Sequence, residues 1–178
     1  EEIAKIVRLF AELGVTKVRL TGGEPLLRKD ILDLTKMLGE IPGLGDIPLS
    51  TNAHLLAGLA SKLKNNGINR ANISIDSLKP LRFKEITRDG DLERVIKGID
   101  AAIAVGIKPI KINMVVMKGI NDDEIESMIE FAINRGLDLR FIETMPIGLA
   151  GIEAVDRHYS EEDILSRVSA SYGDKLLS

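Results

Sequence analysis

The chain has 178 residues, 44% of them hydrophobic and 29% charged, a globular composition that excludes collagen-like, low-complexity and disordered chains. Its net charge of −3 argues against a general nucleic-acid or anionic-membrane surface. It has no cysteine, hence no disulfide, no thiol nucleophile and no thiolate ligand for zinc or an iron–sulfur cluster.

The first element in order is a helix, with Ile3, Ile6, Val7 and Phe10 at the spacing of one apolar stripe and Gly14 as its stop. Val15–Thr21 then reads as a strand. A shorter helix runs from Asp30 through Leu38, turns at Pro42–Gly45 and enters a strand at Ile47–Thr51. The same order recurs three more times. Leu55–Asn66 is helical, Gly67 stops it, and Asn72–Asp76 is a strand. Leu92, Val95, Ile96, Ile99 and Ile103 form a stripe, followed by Gly106 and the strand Ile110–Val116. Ile125, Met128, Ile129, Ala132 and Ile133 form another, followed by Gly136 and the strand Leu139–Met145. Asn121 with Glu124, and Ser160 with Asp163, have the spacing of capping boxes.

Helix, glycine and strand repeated every ~30 residues is the order of parallel βα units, five of them here. An open doubly wound sheet and part of a (β/α) barrel both satisfy it. The barrel is favoured because polar residues sit near the carboxyl end of nearly every strand. Strand alternation puts Arg19, Thr21 and Gly23 on one face. It does the same for Ser50 with Asn52, for Asn72, Ser74 and Asp76, for Lys111 with Asn113, and for Glu143 with Met145. Lys111, midway along an apolar run, calls for an anion or a carboxylate partner.

Thr21-Gly22-Gly23-Glu24-Pro25 follows the first strand directly. Two glycines let a ligand approach the backbone closely, or simply make a tight turn. The turn is neither of the common nucleotide-binding glycine loops. No apolar run approaches the ~18 residues of a membrane span, and no targeting segment is visible, so a cytoplasmic location is expected. The first residue is Glu1 rather than Met, which reads as an internal piece of a longer protein.

The stretch Val18-Arg-Leu-Thr-Gly-Gly-Glu-Pro-Leu-Leu-Arg28 resembles radical S-adenosylmethionine (SAM) enzymes, and more narrowly their GTP-cyclising branch in molybdenum cofactor biosynthesis. The likeness continues through Ser50-Thr51-Asn52, Asn72–Ser77, Lys111–Asn113, Val116–Glu124 and Arg140–Pro146, so it covers most of the chain. It implies an α/β fold, a partial (β/α)6 TIM-like barrel of the radical SAM type, with residues 1–178 as one partial-barrel domain. It implies that Gly23, Ser74 and Met145 contact SAM, and that Arg19, Ser50 and Lys111 hold GTP. From the residues alone, Arg19 is equally a strand-end ion-pair partner and Met145 equally core packing.

The implied reaction converts GTP to its 3′,8-cyclised form through a 5′-deoxyadenosyl radical made from SAM at a [4Fe–4S] cluster. The cluster ligands belong to regions absent from this chain, which alone is expected to be inactive. Two departures from the family pattern are Ser50 in place of threonine and Ala53 in place of glycine. The alternatives are another radical SAM enzyme acting on a peptide or a tetrapyrrole precursor, and a non-catalytic binding module. A missing first strand would leave the 15–21 strand with an open edge, so the isolated stretch is expected to be marginal in stability or to form a homodimer. His54 and His158 read as surface residues, and Asp122, Asp123 and Glu124 as acids favouring a helix start.

Overall fold

The computed structural model describes residues 1–144 and 156–173. In chain order the regular elements begin with α1 (Glu2–Glu12), a 3₁₀ turn (Pro25–Leu27), α2 (Ile31–Gly39), β1 (Ile47–Thr51) and α3 (Leu56–Asn65). β2 (Ile68–Ser74), α4 (Pro80–Thr87), α5 (Leu92–Ala104) and β3 (Ile110–Val116) follow. A 3₁₀ turn (Asp122–Glu124), α6 (Ile125–Arg135), β4 (Asp138–Glu143) and α7 (Glu161–Tyr172) complete the order. The strands form one sheet in the order β1-β2-β3-β4, each joined to the next through helix, as parallel βα units require. β1 and β2 are parallel, with Ser50 opposite Asn72 and Thr51 opposite Ile73.

The residues cluster into two compact units, Glu1–Ser74 with Asp91–Lys111, and Ile75–Gly90 with Ile112–Ser178. In the first, α3 packs on α5, and the two bury Leu56, Ala60 and Leu63 with Val95, Ile99 and Ala102. Each such leucine or isoleucine contributes about 1.5–3 kcal/mol of burial. Gly39 makes close packing possible at the end of α2, since a β-carbon there would lie 2.3 Å from the Asn66 carbonyl oxygen. The Asn66 amide nitrogen completes that join by donating to the Leu32 carbonyl (2.8 Å) and to Thr35 Oγ1 (3.0 Å). The α1 stripe differs from expectation. Ala4 and Val7 are buried, whereas Ile6 and Phe10 face outward.

The expected strand at 15–21 is present only as two isolated parallel bridges to β1, Lys17 with Asp46 and Leu20 with Leu49. The cause is Pro48. The Val18 and Leu20 amides donate to Asp46 and Pro48 carbonyls, and Ser50 donates back to Leu20. Pro48 has no N–H to return to Val18, so the ladder breaks at that point. β2 starts at Ile68, four residues before the expected Asn72, and ends at Ser74. β3 has the expected bounds, with Ile110, Ile112, Met114 and Val116 buried and the alternate residues half-buried.

In the second unit α6 buries Ile125, Met128, Ile129 and Ala132, and α7 buries Ile164 and Val168. A fork from Arg167 to Glu126, 2.7 and 2.8 Å, joins the two helices. α7 has the expected capping box. Ser160 Oγ accepts from the Asp163 amide (3.1 Å), and Asp163 accepts from the Ser160 amide.

Candidate functional site

In the first unit the Gly22–Gly23 turn is exposed, and Gly22 takes φ +143°, a conformation that favours glycine. The turn is tied to the end of β1 by Glu24. Its carboxylate accepts from Thr51 Oγ1 (2.7 Å), from the Asn52 amide (2.7 Å) and from the Leu26 amide (3.0 Å). One charged group thereby fixes the two segments to each other. Thr51 Oγ1 in turn accepts from the Ala53 amide (3.1 Å).

Ala53 is fully buried with φ +61°, so alanine here takes the backbone that glycine would take most easily. His54 is half-buried rather than a surface residue. Its Nε2 accepts from the Asp91 amide (2.9 Å), and its Nδ1 is buried with no hydrogen-bond partner. The hydrogen bond selects the neutral Nδ1–H tautomer. His158 is exposed, as expected.

The same unit gathers basic side chains on one face of its strands. Alternation puts Lys17 and Arg19 on that face, with Arg70 and Asn72 on β2, Ser50 on β1 and Lys111 on β3. Arg70, Arg19 and Lys111 all repel the Lys17 ammonium, Arg70 most strongly. Their field, with some desolvation, lowers its proton affinity below that of an ordinary lysine. Asp46 stands among these cations. Arg70 forks onto it, Nε to Oδ1 at 2.8 Å and Nη2 to Oδ2, and Lys17 Nζ lies 3.8 Å from Oδ2. Asn72 Nδ2 donates to Ser50 Oγ at 3.5 Å. Arg19 is exposed, Lys111 half-buried, and Ser74 exposed at the end of β2. Among the described residues this face thus gathers Lys17, Arg19, Arg70 and Lys111 with Asp46, a hydroxyl and an amide, a chemistry suited to an anion.

All the described residues expected to touch ligand, Arg19, Gly23, Ser50, Ser74 and Lys111, thus fall in the first unit. Met145 lies outside the described residues. Lys17 and Arg70 were not among the expected contacts. The alternation that placed Arg19 on the ligand face would have found Lys17, two residues earlier. Arg70 lay outside the expected strand.

The second unit carries polar groups of its own. Val115 N–H donates to Asp76 Oδ1 (2.8 Å), where a backbone carbonyl of β2 would continue the ladder after the bond from Ile75 to Asn113. Burial pushes the Asp76 carboxyl above the usual carboxylate range, against the opposing effect of that bond. Asn113 Oδ1 is buried with no partner. Asn113 Oδ1 is thus a buried acceptor in want of a donor, a condition that marks candidate ligand contacts.

Asn121 makes no helix cap, contrary to its spacing. It is buried, accepts from the Met117 amide (2.7 Å), and donates to the carbonyls of Asp76 (2.7 Å) and Val115 (2.9 Å). Glu124 is 1% exposed and accepts from Ser77 Oγ and the Leu78 amide, both at 2.7 Å, and from Arg82. Asp123 pairs with Lys79 and Arg82. The acidic run lies at the start of α6 as expected, and its side chains also tie loops together.

Among the described residues, no group of three or more histidine, aspartate or glutamate side chains could hold a metal ion. No helix among them is long and apolar enough to cross a membrane. Two grooves lie away from the polar residues above. One of about 420 Å³ runs between α1 and α2, and an apolar one of about 320 Å³ is walled by α6, β4 and α7.

The model of the radical SAM superfamily matches residues 1–132. A GTP 3′,8-cyclase from Hydrogenovibrio crunogenus is 54% identical over 177 residues, covering 99% of this chain and 54% of its own length. One from Alkaliphilus metalliredigens is 50% identical over 168 residues, covering 94% of this chain and 52% of its own. The chain spans about half the length of the curated relatives it matches. Among solved structures, coproporphyrinogen III oxidase of Escherichia coli, a radical SAM enzyme, aligns with a TM-score of 0.65 at 20% identity. It covers 96% of this chain and 43% of that one. That likeness is one of fold.

Proposed function

This chain belongs to the radical SAM superfamily, and on that premise we propose that it is the central part of a GTP 3′,8-cyclase acting in molybdenum cofactor biosynthesis. The observation that carries the proposal is the basic face of the first unit, where Arg70, Arg19 and Lys111 lie near enough to act on Lys17, and Arg70 and Lys17 meet Asp46. A nucleoside triphosphate carries the opposite charge, and guanidinium and ammonium groups bind phosphate oxygens through charge-assisted hydrogen bonds.

The roles follow from residue chemistry. Arg19 and Lys111, with Lys17, hold the triphosphate, and Ser50 Oγ offers a neutral hydrogen bond. Gly23 presents backbone groups to the methionine part of SAM, and Ser74 offers it a hydroxyl. Met145 packs against its adenine end. The turn fits such a ligand because its glycines are open and Glu24 holds it still. In the second unit Asn113 Oδ1 offers a buried acceptor that a ligand's hydroxyl or amino group would satisfy.

SAM at a [4Fe–4S] cluster supplies the radical chemistry when bound; this cysteine-free chain holds none of its thiolate ligands. What its own residues do is orient two ligands and hold their reacting carbons in one geometry, the part of catalysis that proximity accounts for. The stretch alone is inactive. The full-length protein, with clusters reconstituted and kept anaerobic, is expected to make 5′-deoxyadenosine and a cyclised nucleotide from GTP, SAM and a reductant. Failure to bind GTP, with turnover of a peptide or a tetrapyrrole precursor in its place, would refute the proposal.

A further inference from the structure

The carboxylate in the middle of the basic face has no role in the roles just given. We propose that Asp46 is a positioning residue for the polyphosphate site, gathering Arg70 and Lys17 so that they present their charges to a ligand as a preset pair. This deepens the GTP reading and rests on it.

Asp46 is itself held in place. Its amide donates to the Thr16 carbonyl (3.2 Å) and its carbonyl accepts from Val18 (3.0 Å), so its backbone is fixed beside the Lys17 bridge. Arg70, opposite Pro48 across the β1–β2 ladder, reaches back to it with a two-point fork. That fork uses both carboxylate oxygens and sets the plane of the guanidinium. Lys17, at 3.8 Å and with a side chain 49% exposed, is held more loosely and has room to turn toward a phosphate. Without the carboxylate, the Lys17 and Arg70 charges and their neighbours Arg19 and Lys111 would spread apart into solvent. Binding would then have to order them again.

The opposite expectation is equally physical. A carboxylate repels phosphate, and on charge alone its removal strengthens binding. The two accounts therefore predict opposite signs for one substitution. Asp46 and Arg70 are only partly buried, and pairs of that kind contribute little to folding stability, so the substitution leaves a folded protein.

The experiment uses full-length protein with clusters reconstituted, and isothermal titration with inorganic triphosphate, GTP and SAM. Asp46→Asn should weaken triphosphate and GTP binding about tenfold, the scale of freeing two rotamer-rich side chains, and leave SAM affinity unchanged. A general structural defect would weaken SAM as well. Asp46→Glu keeps the charge but displaces the fork. It should also weaken triphosphate, and it decides the matter should the asparagine variant fail to fold. Unchanged or tighter triphosphate binding in a folded variant, or a parallel loss of SAM binding, overturns the positioning role and leaves the GTP reading standing. A wild-type protein that binds neither triphosphate nor GTP overturns both.

Discussion

Gly98 in α5 offers a test of how tightly the site's supporting loop is built. A β-carbon there would lie 2.4 Å from the Ala53 carbonyl oxygen, 3.3 Å from the Ala53 carbonyl carbon and 3.2 Å from Leu56 Cβ. The nearest atoms are backbone, so no side-chain rotation relieves the contact. Gly98→Ala gains about 1 kcal/mol of helix propensity. Overpacking a buried site costs about 1–3 kcal/mol, and a backbone clash this short belongs at the upper end. The expected net loss is about 1–2 kcal/mol, or roughly a 1–4 °C fall in Tm for a full-length protein about twice the length of this chain.

The loop should also move, because Ala53 follows Asn52, whose amide Glu24 holds. Calorimetry of the full-length variant gives the first number, and hydrogen exchange at residues 51–54 gives the second. A Tm equal to or above the wild type would refute the reasoning, since propensity would then have won over the clash.

Four further outcomes are expected. Glu24→Gln places an amide N–H₂ against either the Asn52 or the Thr51 donor. It should lower stability by about 1–2 kcal/mol, measured by urea unfolding, with a larger loss of SAM affinity than an exposed control such as Glu12→Gln. Asp76→Asn removes a buried charge while its oxygen still accepts from Val115. The folded carboxyl titrates above its unfolded value, so its stabilising contribution is full at acid pH and lost as pH rises through the folded value. The variant should melt higher than wild type at pH 7, and the gap should close below about pH 4. Glu126 has the reverse sign. The Arg167 fork holds its carboxyl below the usual range, so the α6–α7 join is present at neutral pH and weakens as pH falls through that depressed value. Arg167→Met should cost about 1 kcal/mol at pH 7, screened by partial exposure, and raise exchange across α7.

Legibility of the sequence varied with the source of each signal. β3 was readable to the residue because its alternating apolar side chains are fixed by burial on one face. The Ser160–Asp163 cap was readable because it is local chemistry. The irregular 15–21 segment was not, since the break comes from a proline on the neighbouring strand, and pairing is invisible along one chain. β2 was started late because Asn69 and Arg70 look like loop residues. Their polar groups are satisfied by Gly45, Ile47 and Asp46, more than twenty positions earlier. α4 went unseen because only Phe83 of its eight residues is buried. At Asn121 and Glu124 the spacing of a cap was right and the role wrong, because both side chains are claimed by a loop some forty residues away. Of the basic face, Arg19 and Lys111 were legible from their strand positions, while Arg70 and its carboxylate required the register of β1 on β2.

That basic face is expected to receive the nucleotide. Lysine acetylation of the full-length protein, read by mass spectrometry with and without GTP, tests it residue by residue. GTP should protect Lys17 and Lys111 while Lys36, Lys62 and Lys97 react as before, and SAM alone should leave Lys17 reactive. Equal reactivity of Lys17 and Lys111 at saturating GTP, or protection confined to lysines elsewhere, would contradict it.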